Sequence, residues 1–211
     1  MPNINWVQPE EEREYARHIT TQLHMLQFHE GNFRSALSLM DHIEAFWNEA
    51  LAIQNPFEQL SERARRYAWL RIPIESAAFS VYHFRSTLCS IRDQLKHAPT
   101  LAKKVDSKAI QDAYDRFHAE FPEWKLIRDF IGHFADKMFS PGALDAMRGE
   151  RGPVMHGGVS GRRMTFTNAG EYVHFDATAE TLERLRSVKQ DAYLAFRKAS
   201  SWPPPDQNGR L

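Results

Sequence analysis

Residues 33–51 read FRSALSLMDHIEAFWNEAL, and Phe33, Leu37, Met40, Ile43, Trp47 and Leu51 recur there at steps of three and four. That spacing puts every apolar side chain on one face of a helix with 3.6 residues per turn, and it is too long to be a strand. Toward the N-terminus, Pro9 is followed by Glu10, Glu11 and Glu12, which suits a first helical turn, so a helix is predicted to about Glu30 with Gly31 as its stop. Toward the C-terminus, Asn55-Pro56 ends the quoted helix, and Ser61 offers an N-cap for ERARRYAWLR. Pro73 then kinks that helix or starts the next. Residues 74–97 read as a long amphipathic helix with Phe79, Tyr82, Leu88, Ile91 and Leu95 as core candidates, broken at Ala98-Pro99. Ser107 caps a helix through Ala109, Ile110, Tyr114 and Phe117, and PEWKLIRDFIGHFADKMF (122–139) makes another, opened by proline.

The pattern changes at residues 149–161, where glycine occupies positions 149, 152, 157, 158 and 161 and predicts a mobile connection. Met164, Phe166, Val173 and Phe175 then alternate with polar residues about Asn168-Ala169-Gly170, the signal of a β-hairpin over about 162–176. Thr178 caps a last helix over about 178–199, and the proline-rich tail 201–211 is predicted to be disordered. The expected fold is all-α: a helical bundle with a small β-hairpin before the C-terminal helix, in one domain over residues 1–200.

Composition narrows the chemistry. With 211 residues the chain can bury a real core, and with one cysteine it has neither an intramolecular disulfide nor a cysteine-based zinc site. Equal counts of 27 basic and 27 acidic residues argue against a protein that coats duplex DNA. The balance is uneven, however: residues 1–60 hold three arginines against nine acids, a balance of −6 that leaves +6 for the remainder. No stretch has the roughly 20 apolar residues of a membrane span, and the acidic N-terminus is unlike a signal peptide, so a cytoplasmic protein with no membrane partner is expected.

The string Leu126-Ile127-Arg128-Asp129-Phe130-Ile131-Gly132-His133 places arginine, acid and histidine late in a helical chain. In that order and spacing the sequence resembles the HEPN superfamily, whose signature is arginine, a polar residue, a few more residues and histidine. The surrounding FPEWKLIRDFIGHFADK also looks like uncharacterised bacterial members, and the likeness in helix layout covers about residues 10–140. A second match, Arg92-Asp93 with His97, lies 36 residues earlier, next to the break at Pro99. The later copy is preferred for its place in the chain, its Phe-Pro entry and Gly132.

The resemblance implies a metal-independent endoribonuclease or toxin-like protein acting on RNA as a homodimer, with Arg128, Asp129 and His133 as catalytic residues and no cofactor. Imidazole titrates near neutrality and suits general acid–base work on the ribose 2′-OH. A guanidinium suits a phosphate and the charge developing on it, and Asp129 would orient either partner. On a regular helix Arg128 and His133 start roughly 140° apart, so convergence needs Gly132 to loosen the turn or a second protomer to complete the site. The alternative is a non-catalytic HEPN-like module that binds a nucleotide, RNA or a protein. Some HEPN toxins carry a tyrosine two residues after the histidine, modified by a nucleotidyltransferase-type antitoxin; here that position is Ala135.

Arg148, Arg151, Arg162 and Arg163 are candidate contacts to RNA phosphates, against the alternative of an ordinary solvated loop. The ten histidines include no pair spaced four apart, and His18, His24 and His29 do not share a helix face. Glu171 with His174 falls in the hairpin, and Asp115 with His118 has no matching second half, so no metal site is expected. His156-Gly157-Gly158 lacks the nucleophile elbow of a hydrolase, and no phosphate-cradling glycine loop occurs.

Overall fold

The computed structural model describes Ile4 and residues 9–50, 56–132 and 158–199. A 3-10 turn at Glu10–Glu12 leads into α1 (Arg13–Ala50), followed by α2 (Pro56–Leu95), α3 (Pro99–Ala102), α4 (Ser107–Glu120) and α5 (Trp124–Gly132). Strands β1 (Gly158–Ser160), β2 (Arg163–Asn168) and β3 (Glu171–Asp176) form an antiparallel sheet in that order, and α6 (Ala179–Ala195) follows. The chain is therefore mostly α with a small sheet near its C-terminus. No helix among the described residues is long and apolar enough to cross a membrane.

Two expected helix boundaries, the stop at Gly31 and the N-cap at Ser61, are absent, since α1 and α2 run through them. Gly31 does not stop α1, because Phe33, Ala36, Leu37 and Met40 carry the buried stripe straight past it, and that burial outweighs a glycine penalty of about 1 kcal/mol. Pro73 lies inside α2 with its ring buried, although it supplies no N–H to the Trp69 carbonyl one turn back. Its neighbours Leu70, Ile74, Ala77 and Ala78 are buried too, which keeps the two halves of α2 in one helix. A third difference is smaller: α4 is capped by Asp106, whose carboxylate accepts from the Ala109 N–H at 3.0 Å, so Ser107 is the first helical residue.

The chain divides into two compact units. The first comprises Met1–Glu30, His83–Phe121 and Glu183–Leu211. Ile19, Leu23 and Leu26 of α1, Phe84, Leu88 and Ile91 of α2, Ile110 and Phe117 of α4, and Leu185 and Val188 of α6 supply its core. Phe84 and Phe117 stack at 6.0 Å between ring centroids. Tyr193 donates its hydroxyl to the Leu23 carbonyl at 2.8 Å, and Glu12 accepts the N–H groups of Thr100 and Leu101 at the start of α3. Burial pushes the Glu12 carboxyl up, but those donors outweigh it and hold the group below its ordinary value. Glu30, only 1% exposed, is gripped by Arg186 at 2.9 Å and by Lys189.

His29 is buried and stacks on His83 at 5.5 Å. Burial, and then the proximity of His83, pushes its imidazole from 6.5 down to about 4. Between those values the unfolded ring binds a proton that the folded ring refuses, so the contribution is intact above pH 6.5 and lost as pH falls toward 4. The loss should reach about 3 kcal/mol. Urea melts at pH 7 and pH 4.5 should therefore differ more for the wild type than for His29→Gln; equal differences would refute this role for His29.

The second unit comprises Gly31–Tyr82 and Pro122–Leu182. The predicted hairpin is present, with Met164 opposite Phe175 and Phe166 opposite Val173, all buried. Ala169 (φ 50°) and Gly170 (φ 83°) both take positive φ, as a two-residue type I′ turn requires. The third strand was not expected: part of the glycine-rich connection pairs with β2 as β1, after a bend at Gly161 (φ 56°). The Tyr67 hydroxyl accepts the Val159 N–H and ties β1 to α2. Phe33 meets Phe175 edge-on at 6.5 Å, and Phe130 of α5 stacks on Phe166 at 4.1 Å. Thr178 caps α6 as predicted, accepting the Thr181 N–H at 3.3 Å.

Candidate functional site

Helix α5 is short and sharply two-faced. Ile127 and Phe130 are buried, and the ring stack of Phe130 on Phe166 fixes the helix on the sheet. Arg128 and Asp129 are thereby left at the solvent boundary, with side chains 33% and 28% exposed. Arg128 Nη2 lies 2.7 Å from Asp129 Oδ1. Its guanidinium also sits 5.1 Å from the centroid of the Tyr82 ring, and Tyr82 stacks on Trp124 at 6.0 Å with 22° between the planes. The result is a layered Trp124–Tyr82–Arg128 stack, a favourable arrangement for a guanidinium. Arg128 Nε is buried and has no hydrogen-bond partner among the described residues.

Gly132 is the last described residue of α5, with open space where a Cβ would stand. His133 lies outside the described residues, as do Arg148, Arg151 and the tail 201–211. Arg162 and Arg163 are described, and carboxylates hold both. Arg162 pairs with Asp41 and reaches Glu44 at 3.5 Å; burial opposes its charge, but the two acids outweigh that and raise its pKa. Arg163 makes a two-pronged pair with Asp176 at 2.6 and 2.9 Å. These pairs fasten the turn before β2 to α1, and β2 to β3.

The earlier motif copy behaves differently from the later one. Asp93 is tied to Lys96 at 2.7 Å, and His97, in the turn after α2, stacks on Tyr15 at 5.2 Å. Arg92 lies 4.2 Å over the Tyr114 ring and donates to Gln111 at 3.1 Å. Sequence spacing had no means of finding either aromatic platform, because Tyr82–Trp124 and Arg92–Tyr114 are contacts between separate helices. Tyr82 was legible only as an apolar position in a helical period.

The second unit also holds an apolar cleft of about 460 Å³, walled by Leu39, Ile43, Phe46, Trp47 and Trp69 with Arg65 and His42 at its polar points. His42 Nδ1 is already 2.6 Å from the Ser38 carbonyl. Among the described residues no group of three or more His, Cys, Asp or Glu is placed to hold a metal ion. Compared with protein-family models, curated proteins and solved structures, the chain matches none.

Proposed function

We propose that this chain is a HEPN-like helical bundle of the cytoplasm that acts on RNA as a homodimer, as a metal-independent endoribonuclease of toxin-like character. The observation that carries the reading is the Arg128 guanidinium, layered on Tyr82, anchored by Asp129, and held at the surface five residues ahead of His133. In the proposed reaction His133 takes the proton from a ribose 2′-OH, O2′ attacks the adjacent phosphorus, and the bond from phosphorus to O5′ breaks. The leaving O5′ takes up a proton, and a 2′,3′-cyclic phosphate remains. Arg128 binds the phosphate and offsets the charge that grows on it. Gly132 is helical, and since Arg128 and His133 start roughly 140° apart on a regular helix, the site is completed by the facing motif of a second protomer.

The second reading, a non-catalytic module of the same kind, is favoured by the ion pairing of Arg162 and Arg163, which leaves those two side chains engaged within the fold. One experiment separates the two. The purified full chain should cut labelled single-stranded RNA in the presence of a chelator, leaving cyclic-phosphate ends, and His133→Ala should abolish the cut. Cleavage equal in the variant overturns the catalytic assignment. Binding of RNA by a folded wild-type protein without cleavage selects the module.

A further inference from the structure

In the second half of α1, Ile43 lies four residues after Leu39, and Phe46 and Trp47 follow it by three and four, so the four share one helix face. On α2, Arg65 and Trp69 stand one turn apart. Within the second unit these two faces wall the cleft of about 460 Å³. Ile43 and Trp47 are buried and form its floor, whereas Leu39, Phe46 and Trp69 stay exposed at its rim, the last two at 64% and 54%. Phe46 meets Trp47 edge-on at 5.4 Å, so the aromatic surface runs from floor to rim. Large apolar side chains left exposed together around a concavity mark a binding site, as scattered ones do not.

Size and polarity narrow the occupant. The volume falls within the roughly 300–1,000 Å³ of small-molecule pockets, and the seven described residues that line the cleft are far fewer than the roughly 20–30 a protein interface takes from each side. The polar side chains among the seven are Arg65 and His42, and no carboxylate is among them. Asp41 and Glu44, the acids beside His42 and Ile43 in sequence, pair with Arg162 instead. Arg65 is engaged within the fold as well, but its planar fork carries five N–H donors and serves more than one partner at once. His42 Nδ1 donates to the Ser38 carbonyl at 2.6 Å, which leaves Nε2 as the imidazole nitrogen for a ligand.

We propose that this cleft binds a small monocarboxylic acid with an apolar body, an aryl acid or a fatty acid, whose body covers Ile43, Trp47 and Trp69 and whose carboxylate meets Arg65. Removing the exposed aromatic surface of Phe46 and Trp69 from water drives the body in. One guanidinium matches the single charge and planar shape of a carboxylate, whereas a phosphate dianion would hold a second charge unmatched against an apolar wall. None of these residues belongs to the α5 motif, and the site stands whether or not the chain cleaves RNA.

The test uses the full-length wild type with naphthoate, decanoate, naphthalenemethanol and naphthylmethylamine as probes, followed by the indole N–H resonances in NMR. Naphthoate or decanoate should shift those of Trp47 and Trp69 saturably, while that of Trp124 on α5 stays unmoved. Shifts with both acids identify a general monocarboxylate site, and a shift with one alone identifies an aryl-acid or a fatty-acid site. For an acid that binds, the uncharged alcohol should bind about tenfold or more weakly, the value of one charged contact, and the amine more weakly still. Arg65→Gln should bring the acid down to the level of the alcohol, and Arg65→Lys should restore part of the loss. Arg63→Gln removes the same charge from an exposed position on α2 that does not line the cleft, and should change nothing. Absence of a saturable shift with either acid in the wild type overturns the proposal even if the Arg65 variants fail to fold, as does binding of the alcohol or the amine as tight as that of the acids. Movement of the Trp47 and Trp69 resonances with protein concentration and not with acid also overturns it, since the cleft would then be an interface between copies of the chain.

Discussion

Replacing His133 with alanine should lower chelator-resistant RNA cleavage by about 10²–10⁴-fold, the range for removal of a positioned acid–base group. The loss should fall on kcat more than on KM, because proton transfer occurs in the transition state and contributes little to ground-state binding. Arg128→Lys keeps the charge but loses the planar fork and its seat on Tyr82, and should cost about 10²-fold. Asp129→Asn retains the shape while removing the carboxylate, so its loss should be nearer to about tenfold. Single-turnover cleavage of one labelled RNA by all three variants reads this order directly. If Asp129→Asn proved as damaging as His133→Ala, Asp129 would be the acid–base group and the present assignment of roles would fail.

The second large effect concerns stability. Glu30 is 1% exposed and faces Arg186 and Lys189, the latter only 13% exposed. Glu30→Ala would remove the partner of a buried ammonium and leave Lys189 desolvated without its counter-charge. Breaking a buried pair from one side in this way costs about 3–5 kcal/mol. The double variant Glu30→Ala with Lys189→Met should recover a large part of the loss, because the stranded charge has gone. Urea denaturation of the two variants measures this. If the double variant were no more stable than the single one, Glu30 would owe its importance to packing and not to charge.

The missed continuation of α1 past Gly31 and the passage of α2 through Pro73 share one cause. Gly31 and Pro73 are local stop signals, and each sits among residues whose burial favours continuing the helix. A tertiary gain of several apolar side chains outweighs a local propensity of about 1–3 kcal/mol. The hairpin was legible because its evidence is local in the same sense as its structure: alternation along each strand, and a turn at Ala169-Gly170. Strand β1 was not, since Gly158–Ser160 is too short to alternate and is defined by its partner Met164 and by Tyr67. At the candidate site, Arg128 and Asp129 were readable as a motif. The Trp124–Tyr82 stack beneath them, like the cluster about Tyr114, depends on which helix faces meet, and a periodic pattern does not contain that information.

The two compact units have a further consequence for the chain as a polymer. The path passes between them at Glu30–Gly31, Tyr82–His83, Phe121–Pro122 and Leu182–Glu183. Three of these crossings fall inside helices: in the interior of α1 and of α2, and at the end of the first turn of α6. Trimming residues 1–211 from either side therefore removes material from the first unit before it can isolate the second. To obtain the second unit alone, residues 31–82 would have to be spliced to 122–182 through a new linker, since no single scission delivers it.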